Sequence, residues 1–327
     1  MENPITRNER LNPLNEHLQI SNGQSAIGNS LVECVPNFSE GRNIEIVGSL
    51  ADAIVGVETA CVLDTHMDPD HNRSVITFVA APEMVVEAAV RVVAMAAELI
   101  DMRNHTGQHP RLGATDVLPF VPVRGLTLDD CVKLAHQAGE RIARELSIPV
   151  FYYERAALKP DRVNLEDVRR GAFELLRDQI ANEPTRAPDV GPLSVHETAG
   201  AIAVGARPFL IAFNVNLRTS NLAIARQIAR SVRARHGGLP FLKALGFELS
   251  TRGLVQVSMN LVNYGETGML QAYDAVRREA EKIGVEIVST EIVGLVPENA
   301  LDKDAEYFRK LEDFREDKIL ESRMRAC

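Results

Sequence analysis

Cysteine is scarce. The four residues Cys34, Cys61, Cys131 and Cys327 fall without a metal-ligand spacing or the pattern of a disulfide framework. They read as buried or incidental thiols of a reducing cytoplasm. No apolar run reaches the roughly 20 residues of a membrane span, and the first residues lack the apolar segment of a signal peptide. A cytoplasmic protein is expected. Excess positive charge is missing as well: 36 Lys and Arg against 45 Asp and Glu give a formal net charge of −9. That balance argues against nucleic acid as a general partner. An anionic small molecule would need a local pocket of arginines set against the overall field.

What remains is a chain of 327 residues, 45% hydrophobic and 25% charged, long enough to bury two domains or lobes. Residues 1–30 are polar and Asn-rich without sustained periodicity, and read as a mobile arm with at most a short helix near Leu14 to Leu18. Leu31 to Val35 reads as a strand, followed by the turn Pro36 to Gly41 and a helix from Asn43 to Ile54. Cys61 to Leu63 and Arg73 to Ala80 are further strands. Pro82 to Met102 is the strongest helix, with Pro82 in its first turn, a polar stripe at Glu83, Glu87 and Arg91, and Ala88, Val92, Ala96 and Leu99 inward. Thr127 and Asp130 form a capping box that opens a helix to about Leu146, and Ile148 to Tyr153 closes the unit as a strand.

A similar order recurs. Phe209 to Leu217, Leu254 to Val262 and Val285 to Ser289 read as strands, with helices from Asn221 to about Arg235 and from Gly268 to about Ile283. Val117 to Tyr153 and Leu254 to Thr290 both run strand, polar loop, helix, short break, strand. The expected fold is α/β (α+β), with two related lobes, each an open mixed sheet with helices on one face. The divisions are an arm at 1–30, an N-terminal lobe at 31–206 and a C-terminal lobe at 207–327.

Chemistry concentrates in His105-Thr-Gly-Gln-His109-Pro-Arg111-Leu-Gly-Ala-Thr-Asp116. Gly107 lies between the two histidines and Pro110 biases His109 away from the α region, so this stretch is a loop and not a helix. The apolar run Val117 to Val123 follows as a strand, whose prolines favour an end or an edge. Imidazole titrates nearest neutral pH, so the loop histidines suit a general base, and Arg111 suits a carboxylate. The plainer readings are backbone-satisfied histidines and a surface ion pair.

A second concentration, Asp64-Thr-His66-Met-Asp68-Pro-Asp70-His71-Asn-Arg73, has three readings. Its Asp and His residues could bind a metal, although the spacing matches neither a His-Glu-x-x-His site nor a calcium loop. It could instead be a turn whose Asp side chains bond to backbone N–H groups. The preferred reading is a set of carboxylates facing a cationic substrate. Residues Ala187 to Gly200 join the lobes as a Pro/Gly linker, where Gly191 and Gly200 would let backbone approach a flat ligand. The charged run from Asp302 to Arg325 reads as a solvated helical face.

Taken together, Val32-Glu-Cys-Val-Pro-Asn-Phe-Ser-Glu-Gly41, Asn72-Arg-Ser-Val-Ile-Thr-Phe-Val79, His105-x-Gly-x-His-Pro-Arg111 with Gly113-Ala-x-Asp116, Phe209-Leu-Ile-Ala-Phe-Asn214 and Val293-Gly-Leu-Val-Pro297 resemble the glutamate formiminotransferase family. The resemblance spans about residues 31 to 312. It implies a two-lobed, usually dimeric enzyme, with sheets facing across a folate-binding cleft, that moves a formimino group from N-formimino-L-glutamate to tetrahydrofolate as co-substrate. By similarity the catalytic base is His109. The folate segment is Gly191, Pro192, Leu193, Ser194, Val195, His196, Glu197, Thr198, Ala199 and Gly200. Arg73, Arg111, Asp64 and Asp116 are expected on the substrate side, with Arg207 a further candidate for a carboxylate and Glu40, Asp68 and Asp70 further candidates for an acidic neighbour. No metal and no cyclodeaminase domain are expected in this chain; a separate cyclodeaminase would act downstream. The sequence departs from animal relatives at Asp64 to His71, where they have a small Gly-containing turn, and at His196-Glu197. The rivals are a metal-dependent hydrolase of formiminoglutamate, a non-catalytic folate binder, and a related transferase with a formyl donor.

Overall fold

The computed structural model describes residues 30–107, 109–312 and 314–327, so the expected arm, with its short helix near Leu14 to Leu18, lies outside the described residues apart from Ser30. The chain divides into two units, Met1–Arg207 together with Cys327, and Pro208–Ala326. In the first unit β1 (Leu31–Cys34), β2 (Asn37–Phe38), α1 (Ile44–Val55), β3 (Cys61–Asp68), β4 (Arg73–Ala80), α2 (Pro82–Leu99) and β5 (Thr115–Arg124) follow one another. Then come α3 (Leu128–Leu146), β6 (Val150–Glu154), α4 (Leu165–Val168), α5 (Ala172–Gln179) and β7 (Ile202–Ala206). In the second unit the order is β8 (Ile211–Leu217), α6 (Leu222–Val232), β9 (Leu242–Leu249), β10 (Leu254–Leu261), α7 (Met269–Ile283) and β11 (Ile287–Val293).

The units share a split βαβ plan. In the second, the spatial order is β11-β8-β10-β9, all neighbours antiparallel. In the first, β3 pairs with β4, β4 with β1, and β1 with β5, again antiparallel. The matching segments are therefore Leu31 to Arg124 and Ile211 to Val293. The equivalence expected between Val117–Tyr153 and Leu254–Thr290 is corrected. Both of those segments are parallel crossovers that skip one strand, which is why they look alike locally. In the first unit, however, β7 fills the gap between β5 and β6 and extends the sheet by two parallel strands.

Caps and apolar stripes explain the helices. Asn43 caps α1 by accepting from the backbone N–H of Glu45 and Ile46, and Val47, Leu50, Ala51 and Ile54 recur on one buried face. Thr127 and Asp130 make the expected capping box on α3. These helices and α2 bury their stripes against Val32, Cys34, Phe78, Phe120 and Tyr152 on one sheet face. Truncating a core residue such as Leu50 to Ala would cost about 2–5 kcal/mol. Leu99 is not inward: as the last residue of α2 it is 39% exposed. The short α4 and α5 cover part of the opposite face, packing Val168 and Leu176 near Leu112, Val117 and Phe151.

Three further expectations are corrected. The prolines of β5 do not mark an edge, because β1 and β2 pair on one side and β7 on the other. Pro119 offers its carbonyl to the Val35 N–H, at the break between β1 and β2, and Pro122 faces Val32 at a register shift. The missing N–H groups thus fall where the ladder is already interrupted. The second strand runs on from Leu63 to Asp68, so the polar stretch is mostly a hairpin arm and only residues 69–72 turn. Finally, Cys327 groups with the first unit and is disulfide-bonded to Cys61, with Cα atoms 6.2 Å apart, whereas Cys34 and Cys131 are buried thiols. A pairing across 266 positions has no spacing signature to read. Among the described residues, no helix is long and apolar enough to cross a membrane.

Candidate active site

Three pieces of the first unit meet at the histidine loop: the β3–β4 turn, the loop before β5, and the segment before β7. Glycines let them approach. A Cβ on Gly107 would run into the His71 carbonyl oxygen, one on Gly41 into the backbone of Asp68 and Arg73, and one on Gly113 into the backbone of Ala199 and Ala201. Asn72, at φ 48°, ties the pieces together. Its Oδ1 accepts from Gly41 N–H at 3.0 Å, its Nδ2 donates to the Thr106 carbonyl at 3.0 Å, and its own carbonyl accepts from His105 Nε2 at 3.0 Å.

His109 is half-buried, and its Nδ1 lies 2.8 Å from the Pro110 carbonyl. A carbonyl only accepts, so Nδ1 carries the proton and Nε2 is the basic nitrogen. Burial, then the Arg73 and Arg169 guanidiniums, hold the ring well below the usual histidine value. It is a neutral imidazole at pH 7, ready to accept a proton.

Beside it lies a buried Arg–Asp–Arg group. Asp116 is 0% exposed; it accepts from the Leu112 N–H at 2.9 Å, from Arg73 Nη1 at 2.8 Å, and from Arg169 through Nε at 3.3 Å and through Nη2. Burial pushes its carboxyl up, but the two guanidiniums outweigh that and hold it below the ordinary range. Burial brings Arg73 down to about 10, which leaves it charged at neutral pH. Its Nε and Nη2 also donate to Asn37 Oδ1 at 3.2 and 2.7 Å. Two cations on one anion leave net positive charge next to His109, in a chain whose total is −9.

His105 and Arg111 form a separate brace. Arg111 is 9% exposed and donates to both Glu174 oxygens at 2.9 and 2.6 Å, and through Nε to His105 Nδ1 at 3.1 Å. Burial holds His105 below its usual value. Asp64 is 2% exposed, opposite Thr77 in the middle of the hairpin and four positions before Asp68. Glu40 accepts from the N–H groups of Arg42 and Asn43 at the entrance to α1, where it lines an open cavity of about 620 Å³ together with Arg42, Ile44 and Asn72.

The segment from Gly191 to Gly200 folds back on itself and against the loop. His196 and Gly200 exchange backbone hydrogen bonds at 2.8 and 3.0 Å, and His196 Nδ1 accepts from the Ala199 N–H at 3.1 Å. Met102 N–H donates to the Thr198 carbonyl at 2.8 Å, Ala114 N–H to Ala199 at 2.9 Å, and Ala201 N–H to Leu112 at 3.1 Å. Gly191, at φ 99°, Leu193 and Ser194 stay exposed, as does Glu197, whose Oε1 accepts from Arg103 Nη1 at 2.8 Å. The segment expected to link the lobes thus lies inside the first unit, at an edge of the loop region, because β7 of the same sheet follows it and the units divide only after Arg207. Arg207 lies beyond β7, its N–H on the Phe120 carbonyl at 3.1 Å.

Sequence reasoning missed Arg169, which follows α4 in an otherwise unremarked Arg-Arg-Gly run, and it missed the pairing of His71 with Asp68. The His71 N–H donates to Asp68 Oδ1 at 2.9 Å and its Nδ1 to Oδ2 at 2.5 Å. Among the described residues, no group of three or more His, Cys, Asp or Glu is gathered as metal ligands.

Comparison with known proteins covers most of the chain. Residues 31–207 match the model of the formiminotransferase domain, N-terminal subdomain, and residues 212–323 that of the formiminotransferase domain. A glutamate formimidoyltransferase of Thermoplasma acidophilum is 51% identical over 90% of this chain and 97% of its own. One of Streptococcus pyogenes serotype M1 is 45% identical over 87% and 95%. The formimidoyltransferase-cyclodeaminase of Rattus norvegicus is 42% identical over 85% of this chain, which spans 52% of that longer protein. With family models over both units and relatives of this identity along nearly their full length, the chain belongs to the formiminotransferase family and is a transferase.

Proposed function

We propose that the enzyme transfers the formimino group of N-formimino-L-glutamate to N5 of tetrahydrofolate, giving 5-formiminotetrahydrofolate and L-glutamate, with His109 as general base. The observation that carries the base is the commitment of His109 Nδ1 to the Pro110 carbonyl, which makes Nε2 the basic nitrogen. The N5 lone pair attacks the amidinium-like carbon, and a C–N bond forms. Nε2 of His109 takes the N5 proton and returns it to the glutamate nitrogen as the bond to that nitrogen breaks. A base kept neutral at pH 7 serves both transfers. Holding donor and acceptor in line supplies much of the rest.

In this reading the positive charge of Arg73 and Arg169 around Asp116 attracts the donor's carboxylates. Arg111, spent on Glu174 and His105, holds the loop instead. Residues Gly191 to Gly200 contact the folate, and their backbone ties to Met102, Leu112 and Ala114 support a role beside His109. The further reading is a cytoplasmic homodimer in histidine degradation and one-carbon metabolism, followed by a separate cyclodeaminase.

The test is glutamate release by chelator-treated protein given formiminoglutamate with and without tetrahydrofolate. Release only with tetrahydrofolate supports the transferase. Release without it would favour a hydrolase, and release only from formylglutamate would move the donor to the formyl class.

A further inference from the structure

The pair formed by Asp68 and His71 has no part in the reaction as drawn, yet it stands next to the proposed base. The turn is built to hold it. Asp68 ends β3, residues 69–72 turn, and Asp68 accepts both the His71 backbone N–H at 2.9 Å and the ring Nδ1 at 2.5 Å. A carboxylate only accepts, so Nδ1 of His71 bears the proton that Asp68 takes up. The His71 ring is almost wholly buried and meets His109 edge to face, with centroids 6.3 Å apart and planes at 69°. Gly107 makes this approach possible, since any Cβ there would strike the His71 carbonyl.

We propose that His71, held by Asp68, is a positioning residue for His109, setting both the orientation and the charge state of the neighbouring imidazole. The inference rests on the reading of His109 as the base. His71 beside it acts, with the arginines, to lower the proton affinity of His109, so the base stays available as the pH falls. Arg73 from β4 and Arg169 beyond α4 also face His109, both countered by Asp116 from β5, and both act in the same direction as His71. On the other side, His66 of β3 acts on Asp68. His71 therefore supplies a part of the effect and not the whole of it.

The experiment is an NMR titration of the eight histidines in full-length ¹³C-histidine-labelled protein, with His109→Ala to assign the resonance, alongside kcat/KM for glutamate release against pH. His71→Gln removes the ring, and Asp68→Asn keeps the turn's shape while removing the carboxylate that holds the ring. In His71→Gln the His109 midpoint and the acid limb of kcat/KM should move together to higher pH, by about half a unit or more, and in Asp68→Asn they should move together as well. An unchanged His109 midpoint in both would overturn the inference while leaving the base in place. Full turnover by folded His109→Ala would overturn the base and the positioning role with it, even if the two rings proved coupled. A fall in rate or stability without a moved limb would reduce the pair to turn structure. Should His71→Gln fail to fold, the Asp68→Asn titration decides alone.

Discussion

Arg169 reaches Asp116 across 53 residues of sequence and shares its carboxylate with Arg73. The three side chains are nearly or wholly buried, at 13%, 0% and 12% exposure. Asp116 is thus the counter-ion that lets two guanidiniums sit beside His109. Replacing it with Asn keeps the shape but leaves two buried cations facing each other. Asp116→Asn should lower unfolding stability by about 3 kcal/mol or more, as for other broken buried pairs. Urea denaturation measures it, and a loss under about 1 kcal/mol would mean that solvent already screens the group.

The low proton affinity of His109 fixes a pH profile. Burial, Arg73 and Arg169 push its value well below 6.5, so the basic form persists as pH falls through the range where an ordinary histidine would be protonated. The acid limb of kcat/KM should lie below pH 6.5, and His109→Ala should lower kcat by about 10²–10⁴-fold. A limb at or above 6.5 would mean that another group, or a His109 freed of its arginines, limits the reaction.

A buried carboxyl elsewhere in the first unit has its own pH signature. Glu33 of β1 is 1% exposed, its Oε2 has no hydrogen-bond partner, and burial raises it to about 7 against the pull of Arg207. The folded state binds this proton more tightly than the unfolded chain does, so the stability it contributes is complete below about 4.5. That contribution is lost as pH rises through about 7, with a total on the order of 3 kcal/mol. Glu33→Gln cannot ionise. Its stability relative to the parent should therefore improve between pH 5 and pH 8, which paired thermal melts would show. A constant difference across that range would place the Glu33 carboxyl in contact with water.

Local chemistry was legible and pairings over distance were not. Asn43 and Thr127 announce their helices because a cap is a contact between near neighbours. Gly107 and Pro110 announce a loop because their effect is on the backbone they belong to. The internal positions of Pro119 and Pro122 depend on a break between β1 and β2 that exists only once strands from three parts of the chain align. Arg169 carries no motif, and its role comes from the turn after α4 meeting the start of β5. His71 and Asp68 were visible as polar residues, but three readings stayed open until the hairpin extended to Asp68 and put the ring beside His109.

The placement of the loop can be tested at Gly107, away from any titrating group. A Cβ there would meet the His71 carbonyl oxygen, with Asn72 Cβ and His105 Cε1 each at 3.2 Å. The first obstacle is backbone and cannot swing aside, so Gly107→Ala should push the loop off the β3–β4 turn and carry His109 with it. Displacement of a reacting group by about 1 Å can cost about 10²-fold in rate. The variant should lose kcat on that scale while the second unit stays folded. Gly265→Ala is the matched control, because among the described residues the nearest atom to its Cβ is Asn263 Oδ1 at 3.5 Å, an ordinary contact. Equal kcat in both variants would mean that the loop already yields at Gly107, and the close packing of His109 on the turn would then have no part in the rate.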